Sequence, residues 1–281
     1  MRIFGTFLPA VLLAAAFSPL AALSVETSEI SVDLRLDAQD YVSGERIRAV
    51  VDIANSSPDR ISYGYSNSKD SFFIELYRAA DMRELKKTSK GAFVARFRID
   101  SGEGQKLETF LGDHFALKEP DRYLAKPVLV HGRVRYEGRI RAFDVVNGVK
   151  MCSAMQMFSN RRNLQRDFEL VHWSRGRGEH LFLKAFDSGL QNRRWVTRDL
   201  GPILRIDKPS ISILKNGEII VLHRLNQDQF VRTEFWSLPD ALEFRGCTAV
   251  QDPDTAGTAR VRELYKDGAV KPKENPWWKF W

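Results

Sequence analysis

Between Phe168 and Ser237 one pattern of residues occurs twice, and it restricts the fold more than any other part of the chain. Arg177-Gly178-Glu179-His180-Leu181-Phe182-Leu183 aligns with Asn216-Gly217-Glu218-Ile219-Ile220-Val221-Leu222, Gly on Gly and Glu on Glu, with three apolar positions in register. The offset is 217 − 178 = 39 residues. Trp195-Val196 and Phe230-Val231 open a further extended run in each copy, at an offset of 35. Each copy therefore reads strand, Gly-containing turn, strand, loop, strand. A β-meander repeated at a period near 40 residues predicts stacked or radially repeated sheets, and two copies are too few to close a propeller. Within the second copy Asn216-Gly217 predicts a tight type I′ hairpin, because both residues tolerate positive φ.

The preceding segment alternates with period two. Ile30, Val32, Leu34 and Leu36 are separated by Ser31, Asp33 and Arg35, and Ile47, Ala49, Val51 and Ile53 repeat the pattern after a turn. These are half-buried strands. Further β-rich runs fall at 71–77, 92–99, 106–111, 122–130 and 134–146, with no long helical stripe among them. Short strands at this spacing predict a β-sandwich. Leu117-Lys118-Glu119-Pro120-Asp121-Arg122-Tyr123 precedes one of the runs. It resembles the corner before the penultimate strand of immunoglobulin-like and fibronectin type III sandwiches. That resemblance implies that the Tyr123 hydroxyl bonds back to the backbone. The doubled unit, in turn, resembles single β-propeller blades. The expectation is an all-β protein with an immunoglobulin-like sandwich at 27–147 and a blade-like, two-repeat meander domain at 167–247.

Asn147-Gly148 marks the boundary. Met151, Met155 and Phe158 then fall at helical spacing ahead of Arg161-Arg162, so 148–166 reads as a linker holding a short helix. At the other end, Met1-Arg2, an apolar run from Ile3 to Phe17 and the small residues near Ala22 read as a signal peptide over 1–23. No second long apolar stretch follows, so no membrane span is expected in the mature chain, and a periplasmic or extracellular location is. In such an oxidising space Cys152 and Cys247, the two cysteines, are expected to form a disulfide. The extension at 248–281 ends Pro276-Trp277-Trp278-Lys279-Phe280-Trp281. Its Trp277, Trp278, Phe280 and Trp281 read either as a lid folded onto the protein or as a contact for a partner or a membrane interface.

No G-x-S-x-G elbow, H-E-x-x-H helix, P-loop or G-x-G-x-x-G turn occurs, so the common hydrolase and nucleotide-enzyme signatures are missing and no cofactor is implied. Asp187, Asp199, Asp207 and Glu218, near predicted strand ends, leave a glycosidase with paired carboxylates as one alternative. His172 and His180 become cross-strand neighbours if the hairpin turns on Gly176, with His223 as a third metal-ligand candidate; two ligands alone make no site. Charge is the broader signal. Residues 161–205 carry nine arginines and one lysine against five acids, a net of 10 − 5 = +5 in a chain of net charge +7. Arg grips carboxylates, sulfates and phosphates in a planar fork. Arg175, Arg177, Arg193, Arg194 and Arg198, with Trp173 and Trp195 interleaved, are therefore expected to form a face for an acidic polysaccharide or an acidic envelope protein. A merely solvated basic face is the competing reading. Nucleic acid is not expected, since no recognition motif is present.

Overall fold

The computed structural model describes residues 29–158, 164–176, 178–188 and 195–251, whose regular structure is β-strand apart from one 3-10 turn at Leu111–Asp113. The signal-peptide reading, the aromatic tail (Trp277, Trp278, Phe280, Trp281) and Arg177, Arg193 and Arg194 lie outside the described residues.

The N-terminal half folds as β1 (Ile30–Leu36), β2 (Asp40–Val42), β3 (Arg48–Asn55), β4 (Ile61–Tyr63), β5 (Ser71–Arg78), β6 (Arg83–Glu84), β7 (Phe97–Ile99) and β8 (Gly104–Phe110). It continues through β9 (Asp121–His131), β10 (Val134–Glu137) and β11 (Arg141–Val146). One sheet has the order β1-β3-β8 and the other β2-β11-β9-β5-β6, with β10 folded back on β9. Alternation sets the layers: Ile30, Val32 and Leu34 of β1 and Ala49, Val51 and Ile53 of β3 all face one core, which they share with Phe72, Leu76, Tyr123 and Phe143 of the facing sheet. Burying one such aliphatic side chain stabilises the fold by roughly 1.5–3 kcal/mol. The corner ahead of β9 forms as its residues imply, with the Tyr123 hydroxyl donating to the Glu119 carbonyl at 2.9 Å. The ring itself stacks on Phe143 at 5.6 Å.

The C-terminal half holds β12 (Val149–Met157), β13 (Gln165–Arg175), β14 (Gly178–Ser188) and β15 (Trp195–Pro202), then β16 (Ser210–Ile213), β17 (Glu218–Arg224), β18 (Gln229–Leu238) and β19 (Ala241–Gln251). Each set of four pairs in sequence order as an antiparallel meander. The two meanders stack face to face: Phe168, Leu170, Leu181, Leu183 and Ala185 of the first share one core with Ile219, Val221 and Phe235 of the second. Of the arrangements open to a doubled meander, the stacked one is adopted, so this half is a second sandwich.

Four local expectations are corrected. The segment expected to carry a short helix is strand β12: a bulge between Lys150 and Cys152 and the in-out alternation of an edge strand place Met151 and Met155 four apart by coincidence. The turn at Asn216-Gly217 is not type I′, because Gly217 (φ +87°) has positive φ and Asn216 does not. Gly217 N–H instead donates to the Leu214 carbonyl, and the Asn216 side chain accepts from Glu218 N–H at 3.0 Å. The β13–β14 hairpin closes with Arg175 opposite Gly178, a cross-strand register shifted by one residue from that of a turn centred on Gly176. His172 consequently pairs with Leu181 and His180 with Trp173, so the two imidazoles stand on opposite faces of the sheet.

Cys152 and Cys247 are the fourth correction, since both are free thiols. Cys152 reaches the Pro209 carbonyl, just ahead of β16 at one edge of the second meander, whereas Cys247 lies on β19 at the opposite edge and accepts from the Thr233 hydroxyl of β18. Three inter-strand spacings of about 4.8 Å separate those edges. A disulfide needs Cα atoms within about 7 Å.

Candidate binding cleft at the seam between the sandwiches

The β2–β3 turn, Ser43-Gly44-Glu45, plugs against β15 and the end of β13 in the second sandwich. Glu45 forms a parallel bridge with Thr197, and Thr197 N–H donates to the Gly44 carbonyl at 3.2 Å. The Ser43 carbonyl accepts from both the Thr197 hydroxyl (2.6 Å) and the Trp195 indole N–H (3.2 Å). Gly44 is required here: its φ is +84°, and a Cβ would sit 2.1 Å from Trp195 Cδ1. Trp195 in turn stacks on Phe186 at 5.4 Å, with the Lys184 ammonium 5.1 Å from its ring centre. Lys184 is buried, which lowers its pKa, and its Nζ reaches the Asn147 carbonyl at the junction between the halves.

Beside this contact runs a chain of ionised groups. Arg175 grips Glu45 through both guanidinium nitrogens at 2.6 Å and reaches Asp199 at 3.0 Å. Asp199 also accepts from Gly201 N–H at 2.8 Å and meets His180 Nδ1 at 2.9 Å. Burial pushes the Glu45 carboxyl above the ordinary range, and the Arg175 guanidinium and Val42 N–H pull it back. The guanidinium also lies 5.0 Å from the Phe182 ring centre and 5.8 Å from that of Tyr41, while Trp173 packs with Val42, Val171 and Phe182. Desolvated pairs of this kind hold only while both partners remain, because removing one leaves a buried charge.

Three of the sequence-predicted face residues are thus seam components. Arg175, Trp173 and Trp195 join the sandwiches and present no open basic face. Arg198 differs, since it lines a cleft of about 520 Å³ at the seam together with Arg46 and Arg48 of the first sandwich, Phe110, His180 and the carboxylates Asp37, Glu45, Glu108 and Asp199. Burial, and then the neighbouring Arg46 charge, lowers the Arg198 pKa. Arg46 pairs with Asp113 at 3.0 Å and stacks on Phe110, and Arg48 pairs with Glu108 at 2.7 Å. Sequence reasoning missed Arg46 and Arg48. They sit about 150 residues from Arg198 and carry no local pattern that ties them to it.

The candidate carboxylates do not converge. Asp187 is buried against Arg166 at 2.6 Å, Asp199 belongs to the seam chain, Asp207 holds Arg224 at 2.6 Å, and Glu218 follows a turn that Asn216 caps by accepting from its N–H. No three His, Cys, Asp or Glu side chains among the described residues form a metal-binding group. His223 faces the core of the second sandwich with neither ring nitrogen in a hydrogen bond of standard geometry. Burial pushes its pKa down to about 4, the Pro202 carbonyl offsetting part of that shift.

No helix among the described residues is long and apolar enough to cross a membrane. No protein-family model matches the chain, and no curated protein matches it. Among solved structures, one similarity is to the sporulation control protein Spo0M of Bacillus subtilis, at 13% identity over 61% of this chain and 90% of that one, with a TM-score of 0.30. So loose a superposition carries no statement about fold or ligand.

Proposed function

We propose that the protein is an exported, non-catalytic binding protein of the cell envelope, which takes an acidic group of a glycan in the cleft between its two sandwiches. The observation that supports this reading is the meeting of Arg46, Arg48 and Arg198, from both halves, in one open cleft. The carboxylates now facing Arg46 and Arg48 are weak competitors. Both pairs are about half exposed, and pairs of that kind contribute only about 0–1 kcal/mol. An incoming carboxylate or sulfate exchanges with them at little cost and offsets the repulsion between Arg198 and Arg46. Arg175 holds both Glu45 and Asp199 and offsets one of their two charges, which reduces their repulsion of such a ligand. The pairing of Asp187 with Arg166 and of Asp207 with Arg224 argues for binding over hydrolysis.

Native affinity electrophoresis through polygalacturonate tests the reading. Mature protein is expected to be retarded, the retardation to weaken as salt rises, and an Arg46→Ala/Arg48→Ala variant to lose at least tenfold in affinity. Equal retardation of that variant, or clearing of the polymer in the gel, would overturn it.

A further inference from the structure

Trp236 stands on the outer face of the second meander, at the end of the strands away from the seam. Across the sheet it lies between Glu218 of β17 and Glu243 of β19. It is 37% exposed, and its indole N–H donates to the Asn216 carbonyl at 3.2 Å, which fixes the plane of the ring. The Arg245 guanidinium lies 4.7 Å from the ring centre. A bulge aims it there: Glu234 pairs with Gly246 and Phe235 with Phe244, so Arg245 is the extra residue of β19. Trp236, Arg245, Asn216, Glu218 and Glu234 line a cavity of about 220 Å³. Glu234 is held by Arg232 at 2.8 Å. Among the described residues Glu218 has no cationic partner and Arg245 no carboxylate partner.

We propose that this cavity is a subsite for a neutral pyranose ring. The indole supplies a flat apolar wall for the C–H face of a sugar. Glu218 and Arg245 supply planar groups, one accepting and one donating, each able to engage two neighbouring hydroxyls at once. Their opposite charges cancel, so the cavity gains nothing from a charged ligand. A cavity bounded by an aromatic ring whose plane is fixed, a guanidinium without a carboxylate partner, and a carboxylate held only by the Asn216 amide at 3.4 Å is the composition expected of a small-ligand site. The three groups are held in advance by the Asn216 turn and the Arg245 bulge, which limits the ordering cost of binding. The subsite stands on its own residues and does not depend on the seam cleft.

The test is saturation-transfer NMR of the mature protein with four soluble neutral hexasaccharides, built from glucose, xylose, mannose and N-acetylglucosamine. Transfer to at least one is expected, insensitive to 0.5 M NaCl. Trp236→Ala and Glu218→Gln are each expected to weaken it at least tenfold, while Trp236→Phe, which keeps an aromatic wall and guards against a folding defect, loses only a few-fold. Arg46→Ala/Arg48→Ala should leave it unchanged, which separates this subsite from the acidic cleft. Transfer to none of the four, transfer unaffected by Glu218→Gln, or displacement by a free zwitterionic amino acid would each overturn the proposal.

Discussion

Replacing Gly44 by Ala tests whether the seam fixes the two sandwiches to each other. The added methyl meets Trp195 Cδ1 at 2.1 Å, Nε1 at 2.3 Å and Thr197 Oγ1 at 2.9 Å, all far inside van der Waals contact. The φ of +84° adds a conformational penalty of about 1–2 kcal/mol for an L side chain. Overpacking a fitted site costs about 1–3 kcal/mol more. The expected loss is therefore about 2–5 kcal/mol, read by urea denaturation. A double-mutant cycle separates the two contributions. In a Trp195→Ala background the indole is gone, so Gly44→Ala should cost little beyond its φ penalty, and the coupling should be about 1–3 kcal/mol. A loss below about 0.5 kcal/mol in the wild-type background, or an equal loss in both, would refute the claim that this turn is wedged against Trp195.

Two further outcomes follow from buried charge. His223 titrates near 6.5 when unfolded and at about 4 when folded, so the unfolded chain binds the proton first. Its stabilising effect is complete above pH 6.5 and is lost as pH falls towards 4, by roughly 3 kcal/mol at 1.36 kcal/mol per pH unit; His223→Leu should flatten that slope, and an unchanged slope would count against it. Arg166 donates to Asp187, to the Ser237 hydroxyl and to the carbonyls of Leu238 and Ala241, so Arg166→Ala strands a buried Asp187 and should cost about 3–5 kcal/mol by denaturation, with Arg166→Ala/Asp187→Ala recovering part of it.

What the sequence disclosed was whatever is encoded over a few residues. Ile30, Val32 and Leu34 alternate because one face of β1 is buried, and the Tyr123 corner spans only four residues from hydroxyl to acceptor. The doubled Gly-Glu pattern marked the hairpins that open β14 and β17, although β14 is the third strand of its meander and β17 the second, so the repeat is one strand out of step with the sheets. The seam was invisible for the opposite reason. Arg175 meets Glu45 across 130 positions and Trp195 meets Ser43 across 152, and neither pairing leaves a local trace. A cluster of arginines in the sequence reads as a surface until their carboxylate partners are located. Edge strand β12 misled for a subtler reason, because its bulge shifts the side-chain period just where the methionines sit.

Strand β2 runs parallel to β11, pairing Asp40 with Asp144, Tyr41 with Val145 and Val42 with Val146, and hydrogen bonds from Asp144 N–H to Gln39 and from Ser43 N–H to Val146 bracket the pairing. Tension that draws β2 towards its N-terminal end and β11 towards its C-terminal end slides the two strands in opposite directions. Every bond in the patch then carries the load together, in shear, and none can open before the others. Tension along β2 and β11 therefore meets this patch in its shear geometry, unlike a hairpin opened from one end.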